Sequence, residues 1–386
     1  MDRDCAPPMK IVDRYLLKQF VHVFAICFIS LTGLYVVLDA FSHLDDFLRY
    51  SEVEGSLLRT LGDYYFYKSI GFFERLSGVI SLIAAMFTVT WIQRHNELTA
   101  LMAAGISRVR VVKPVIFACV TLALLTAAGR ELVIPRMRQQ LSRDARNLAG
   151  DQAQQFRPQR DNQTNILLRG NTLFTNEKRI QTASFLLPPE LSAWGTQLTA
   201  TSAFYKEPEN GHPGGYLLDE VKEPAGIDER GSLRLGGHDV IITPADAKGW
   251  LEPNQCFVVS DVTFEQLQGG AQWRQFSSVS EMVAGLKNPS LDFGPDVRVA
   301  VHVRVVQPLL DITLLFLGLP LVLSRESRNM FLSIGMCVGL VSVYSLTVLS
   351  CQYLGTVYML SPALSAWLPL MVYVPIAVAM FERTRR

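Results

Sequence analysis

The sequence predicts an α+β membrane protein: six transmembrane helices with an inserted extracytoplasmic all-β domain, a sandwich or jellyroll. Three observations carry that prediction. The chain has 386 residues, of which 49% are apolar and only 18% charged, where a soluble protein carries about a quarter charged residues. The charges are unevenly spread, because residues 136–300 hold 17 Lys/Arg and 20 Asp/Glu while the flanks hold 19 and 15. The flanks also contain apolar runs long enough to cross a bilayer, and the middle does not.

Composition excludes some functions at once. Thirty-six basic against 35 acidic residues leave a net charge of +1, which removes a nucleic-acid binder acting through its overall field. With 21 Phe, 12 Tyr and 5 Trp the chain has ample surface to bury and is not disordered.

A membrane helix needs roughly 20 mostly apolar residues to cross about 30 Å of hydrocarbon. Residues 19–38, 76–93 and 114–129 carry no Asp, Glu, Lys or Arg, and 305–324 carry only Asp311. Residues 329–381 are 53 in a row without a charge, too many for one crossing and right for two. The expected spans are therefore 19–40, 72–93, 114–134, 304–324, 330–351 and 360–381. They divide the chain into an N-terminal transmembrane part (1–135), the β domain (136–300) and a C-terminal transmembrane part (301–386).

Orientation follows from Lys and Arg in short loops. Arg3, Lys10, Arg14 and Lys18 precede span one; Arg94, Arg108, Arg110 and Lys113 lie between spans two and three; Arg325 and Arg328 between four and five; Arg383, Arg385 and Arg386 at the end. These segments are expected in the cytoplasm, and the acidic loop after span one and residues 136–300 outside. Span one is too long for a signal peptide and reads as a retained anchor. Residues 1–8, with Cys5, read as an unlipidated extension.

Within 136–300 the pattern shortens to alternating stretches at 165–169, 197–205, 216–221, 239–243 and 256–264. Breakers such as Pro188-Pro189 and Gly236-Gly237 separate them, the pattern of a β sandwich or jelly roll. Helices are expected at 138–155, carrying span three outwards, and at 279–286. Cys256 has no second cysteine in this domain to pair with and is expected as a small buried hydrophobe.

No catalytic, cofactor or metal constellation emerges. There is no G-x-x-x-x-G-K-[ST] loop, no G-x-S-x-G elbow and no H-E-x-x-H, and the 6 histidines are scattered. The informative stretch is the loop at 93–107. Leu98, Leu101 and Met102 share a helical face, Asn96 is placed to cap the start, Gly105 to end it and Ser107 to begin the next helix. Two readings fit: an interfacial helix on lipid headgroups, or a docking helix presenting Glu97 to a basic residue of a cytoplasmic partner.

In and beside the spans, Asp39 reads as a solvated stop at the end of span one. Arg130 and Glu131 read as anchors at the outer edge of span three. Asp311 is the acid well inside a span, where ionisable groups default to function, and Arg304 is expected to neutralise it.

The stretch Glu97-Leu98-Thr99-Ala100-Leu101-Met102-Ala103-Ala104-Gly105-Ile106-Ser107 resembles the LptF/LptG permease family of the lipopolysaccharide exporter. So do the opening Asp13-Arg14-Tyr15-Leu16-Leu17-Lys18, the Glu131-x-x-Ile134-Pro135 exit, Leu317-Gly318-Leu319-Pro320-Leu321 and Pro362-x-x-x-x-Trp367-Leu368-Pro369. The opening is more similar to the LptG member. The resemblance implies half of an ABC transporter: an LptF-like paralogous permease as partner, an LptB-like cytoplasmic ATPase dimer, and LptC- and LptA-like proteins forming a periplasmic β-jellyroll bridge. Lipopolysaccharide or a related glycolipid would be the cargo. It assigns ATPase coupling to Glu97, Leu98, Leu101, Met102 and Gly105, and a lateral lipid entrance to spans one and five. Tyr35, Asp39, Arg130, Glu131, Arg304 and Asp311 are the candidate lipid path. One departure stands out. Some relatives carry basic residues around the outer half of span one, whereas here that stretch reads Tyr35 to Phe41 with Asp39, followed by Asp45 and Asp46. The rivals are a membrane-anchored lipid-binding or assembly scaffold without transport activity, and an intramembrane enzyme using Asp311 or Glu131.

Overall fold

The computed structural model describes residues 11–54, 56–142, 154–156, 158–209, 212–247, 249–267, 270–291, 293–323 and 330–385. The extension at 1–8 with Cys5, and Arg325 and Arg328 of the loop after span four, lie outside these residues. The chain divides into a helical unit (1–47, 56–137 and 294–386) and a β unit (48–55 and 138–293).

Among the described residues, six helices are long and apolar enough to cross a membrane. They are α1 (Ile11–Ser42), α3 (Leu57–Arg94), α5 (Arg108–Leu132), α10 (Pro295–Leu323), α11 (Met330–Thr356) and α12 (Pro362–Arg385). Two short helices lie between the first three: α2 (Leu44–Glu54) and α4 (Glu97–Ala103). Several run longer than their apolar cores, because polar helix formers continue the same backbone ladder. The 38 residues of α3 span about 57 Å at 1.5 Å per residue, well beyond the hydrocarbon thickness. α2 occupies the acidic stretch after span one, where the sequence pattern suggests only a loop.

α10 is the hub of the helical unit, packing on α3, α5, α11 and α12. Its core joins Leu310, Leu314, Leu315 and Leu317 to Leu82, Ala85, Met86 and Val89 of α3 and Val111, Val112 and Val115 of α5. Small residues let the helices approach closely, the packing rule of membrane interiors. At Gly78 on α3, a Cβ would come 2.6 Å from Asp311 Oδ1 on α10.

The β unit is a single antiparallel sheet curled into a half-barrel. Its strands are β1 (Gln154–Gln155), β2 (Gln159–Arg160), β3 (Leu167–Leu168), β4 (Thr172–Phe174), β5 (Arg179–Leu186), β6 (Gln197–Lys206), β7 (Gly215–Glu223), β8 (Leu233–Leu235), β9 (His238–Ile242) and β10 (Cys256–Val259). The order is β1-β4-β5-β6-β7-β10-β9-β8, with the β2–β3 pair joined through β3 to β5. Alternation sends Leu198, Ala200, Ala203, Tyr216, Leu218 and Val258 into one core with Phe185 and Phe264. Gly236 and Gly237, at φ +58° and +87°, make the two-residue turn between β8 and β9, a conformation that needs glycine-like freedom at both positions.

Two expectations are corrected. The helix expected over 138–155 is α6 (Arg138–Ser142), with 143–153 outside the described residues, and Gln154–Gln155 is strand β1 paired to β4. Backbone pairing overrides the polar, Pro-free pattern that suggested helix there. β5 was not anticipated, because Thr182, at φ +51°, shifts the inward phase from Ile180 to Ala183 and spoils the alternation. The helix expected at 279–286 is α9 (Val279–Lys287), started by a capping box of Ser278 and Glu281. Before it come α7 (Phe264–Leu267) and α8 (Gly270–Phe276).

Cys256 is fully buried in β10 and burial pushes its thiol up, so it is an inert core residue.

Candidate functional site

α4 is held between two tight turns. α3 ends at Arg94 with His95 as its C-cap, and Asn96, at φ +58°, turns the chain into α4. The Asn96 side chain makes no capping hydrogen bond, which corrects the expectation of an N-cap. In the left-handed region, which Asn tolerates better than most residues, it instead terminates α3. The other end is a Schellman motif. Gly105, at φ +81°, donates its N–H to Met102 O at 2.9 Å, and Ile106 donates to Leu101 O at 3.0 Å. Ser107 then caps α5, its side chain accepting from Arg110 N.

The apolar face of α4 points into the protein. Leu98 is 6% exposed and lies among Leu16, Val89, Ile92, Val111, Val112, Val115 and Leu323. Leu101 packs on the same core. Met102 is half-buried, its Sδ 3.2 Å from Arg108 Nε. The expected face of Leu98, Leu101 and Met102 is therefore real, but its own helical unit receives it. Leu98 is buried within its own helical unit. Outward-facing residues of this segment are small: Thr99, Ala100, Ala103, Ala104 and Gly105. Glu97 stands half-buried at the edge, its Oε1 accepting from Tyr15 OH at 3.4 Å. Gln93 and Arg108 donate to Val322 O and Leu323 O, tying both sides of α4 to the end of α10.

The candidate path residues fall into separate groups. Tyr35 of α1 stacks on Phe72 of α3 at 5.2 Å. One turn on, Asp39 Oδ2 accepts from Tyr65 OH at 2.8 Å and Oδ1 lies 3.6 Å from His43 Nδ1, so Asp39 is an interhelical strut more than a solvated stop. Arg130 Nη1 of α5 pairs with Glu74 Oε1 of α3 at 3.1 Å. Glu131 is half-buried beside it in sequence, and Arg304 of α10 is 7% exposed.

Asp311 lies deeper, lining a cavity of about 10 Å³ with Ser77, Gly78, Ser81 and Cys119. Its expected partner was Arg304. The structure gives it Gln307 instead, one turn before, donating to Asp311 Oδ1 at 3.0 Å, because residues four apart on a helix stand one above the other.

Sequence reasoning missed Tyr15, Tyr65, Glu74 and Gln307. The usable signal for Glu74 was its opposite charge to Arg130 at matching ends of consecutive antiparallel spans. Among the described residues, no three His, Cys, Asp or Glu side chains are placed to hold a metal ion.

Fold and site together define a six-span membrane protein with an inserted antiparallel β domain and a short polar-edged helix between its second and third spans. A family model described as "Lipopolysaccharide export system permease LptF/LptG" matches residues 14–185 and 259–383. The chain belongs to this family of transport permeases, and is a multi-pass inner-membrane protein. Among curated proteins nothing matches it.

Proposed function

We propose that this chain is the LptG-like membrane subunit of an ATP-driven exporter. It extracts lipopolysaccharide or a related glycolipid from the inner membrane and hands it to a periplasmic β-jellyroll bridge through its own β domain. An LptF-like paralogue completes the membrane pore, an LptB-like ATPase dimer supplies ATP hydrolysis from the cytoplasm, and LptC- and LptA-like proteins form the bridge. Both termini and α4 face the cytoplasm in this reading, and the β unit faces the periplasm. The observation that carries it is the family match across both membrane parts, with α4 offering a small-residue face flanked by Glu97. A flat face of Thr and Ala lets a partner approach closely, and a carboxylate at its rim supplies one directional ionic contact.

The mechanism needs two things from the chain. A lipid with a charged headgroup and several acyl chains requires a lateral opening in the spans and a continuous apolar surface beyond it. The outward faces of α1 and α11 carry exposed apolar side chains such as Ile29, Leu34, Val343 and Leu346.

The test is copurification with a cytoplasmic ATPase and lipid release in proteoliposomes. Glu97→Lys is expected to lower both by at least about tenfold, the loss of one charge-assisted contact. Unchanged binding and export in that variant would overturn the coupling role. ATPase-independent lipid binding without release would favour the scaffold. Orientation is checked by labelling intact cells: a cysteine at Gly237 is expected to react with an impermeant reagent, and one at Gly105 is not.

A further inference from the structure

The start of α1 is fastened to α4 and α5 by three side chains within four residues. Arg110 Nη2 of α5 donates to Asp13 Oδ2 at 2.8 Å. Tyr15 OH donates to Glu97 Oε1 of α4 at 3.4 Å. Leu16, 1% exposed, is inserted beside Leu98 of α4 and Val111 of α5. Beyond this end α1 is gripped far less. Its buried residues are Leu16, Phe20, Val23 and Thr32, and only 6% of its most apolar stretch is buried, against 61% for α3 and 56% for α10. Further out it leans on α3 through rings, Phe24 and Phe28 on Phe73 and Tyr35 on Phe72, and through the hydrogen bond from Tyr65 OH to Asp39.

We propose that Asp13, Tyr15 and Leu16 form a clamp that makes α1 follow α4, so that displacement of α4 swings the full length of α1. This rests on the reading above, in which an ATPase pushes α4 and α1 walls the lipid opening. It adds the parts that connect the two. A helix of 32 residues is a stiff rod of about 48 Å, so a small rotation imposed at its first turns is enlarged at its far end. Leu16 carries the load, since a side chain that is 1% exposed cannot leave its site without giving up its buried apolar contacts. The Asp13–Arg110 pair sets the direction: with the two side chains 17% and 40% exposed, it adds little stability but fixes which face of α1 meets α5. Tyr15 adds only a long contact, 3.4 Å, to Glu97 at the edge of α4.

The experiment uses the intact transporter. Spin labels at Arg14 and Ala104, both exposed, report the α1–α4 separation. Asp13→Arg is expected to broaden that distance distribution and to lower ATP-driven lipid release about threefold to tenfold, while ATPase copurification and the thermal melt are unchanged. Adding Arg110→Asp is expected to restore both. Asp13→Asn carries the same expectation at smaller amplitude, so an Asp13→Arg protein that misfolds does not end the test. An unchanged distribution in Asp13→Arg and Asp13→Asn overturns the clamp, as does a loss that Arg110→Asp fails to repair. Failure of the wild-type chain to bind an ATPase would instead overturn the exporter reading, and the distance arm still decides the clamp because it needs no ATPase.

Discussion

In the helical unit large apolar side chains lie on the outside as well as in the core, and small or hydroxyl-bearing ones share the interior with leucines. Ile29, Phe41, Phe117, Leu346 and Met371 are each more than 60% exposed, while Ser77, Ser81, Ala84, Ala85 and Thr88 of α3 are buried. In the β unit the large apolar side chains are turned inwards, with Phe185, Tyr216 and Phe257 at 1% exposure or less. The difference teaches what each region is solvated by. Removing apolar surface from water drives the β core, but lipid tails are as apolar as leucine, so helices in a bilayer associate through close backbone approach and polar contacts.

The largest expected effect tests that contrast directly. Phe185 is fully buried and meets Tyr216 edge to face at 5.9 Å, and Phe185→Ala is expected to cost about 3–5 kcal/mol. The same truncation at Phe117, 73% exposed on α5, is expected to cost less than about 0.5 kcal/mol in detergent. Denaturant titration of the full chain reads both. Equal losses would break the comparison.

Adding volume should reverse the ranking. Gly78 faces Asp311 with no room for a side chain, so Gly78→Val is expected to destabilise the helical unit by about 1–3 kcal/mol. Asp311→Ser should recover part of that loss in the double variant, since the two sites share one space. Full additivity of the two changes would mean that this contact is not where the helices are keyed together.

How far the sequence reveals all this differs between the regions for the same physical reason. Membrane spans are legible because a charge-free run of 16 to 20 residues has few other uses, and the turn at Gly236-Gly237 is legible because few residues tolerate its dihedrals. The periodicity of Leu98, Leu101 and Met102 showed an apolar face but not its recipient, since lipid, partner and own core all accept the same pattern. β5 hid behind the left-handed Thr182. Gln307 beside Asp311 hid because an uncharged amide in a span carries no alarm, whereas Arg304 does. The site was thus readable as a segment and not as a geometry.

Buried hydroxyls give a finer version of the comparison. Ser260 Oγ donates to Asp161 Oδ2 at 2.7 Å, and Asp161 is 1% exposed. Ser260→Ala leaves that carboxylate short of a donor in the β core and is expected to cost about 1–3 kcal/mol. Thr126 Oγ1 of α5 reaches Ser77 Oγ of α3 at 3.1 Å but also Leu122 O of its own helix at 3.0 Å. Its polar group keeps an internal partner when helices part, so Thr126→Val is expected to cost only about 0.6 kcal/mol. Thermal melts of the two variants, followed in the same detergent, should separate them; a Thr126→Val loss as large as that of Ser260→Ala would mean that interhelical polar contacts dominate the membrane part.

The smallest effect lies on the water-facing side of the β unit. Lys178 Nζ meets Glu207 Oε1 at 2.6 Å, and this hydrogen bond, with the lysine charge, holds the Glu207 carboxyl below its usual value. A carboxyl lowered in the folded state contributes stability above its unfolded pKa, about 4.3, and loses it as pH falls through the lower folded value. With 41% and 62% of the two side chains exposed, solvent screening limits the contribution to at most about 0.5 kcal/mol. Glu207→Gln is therefore expected to leave the acid limb of stability slightly flatter below about pH 4.3, and high salt should erase the difference. Lys178→Met should have the same consequence, and the double variant no more than either alone. A steeper acid limb in Glu207→Gln would reverse the assigned sign and place Glu207's favourable contacts in the unfolded chain.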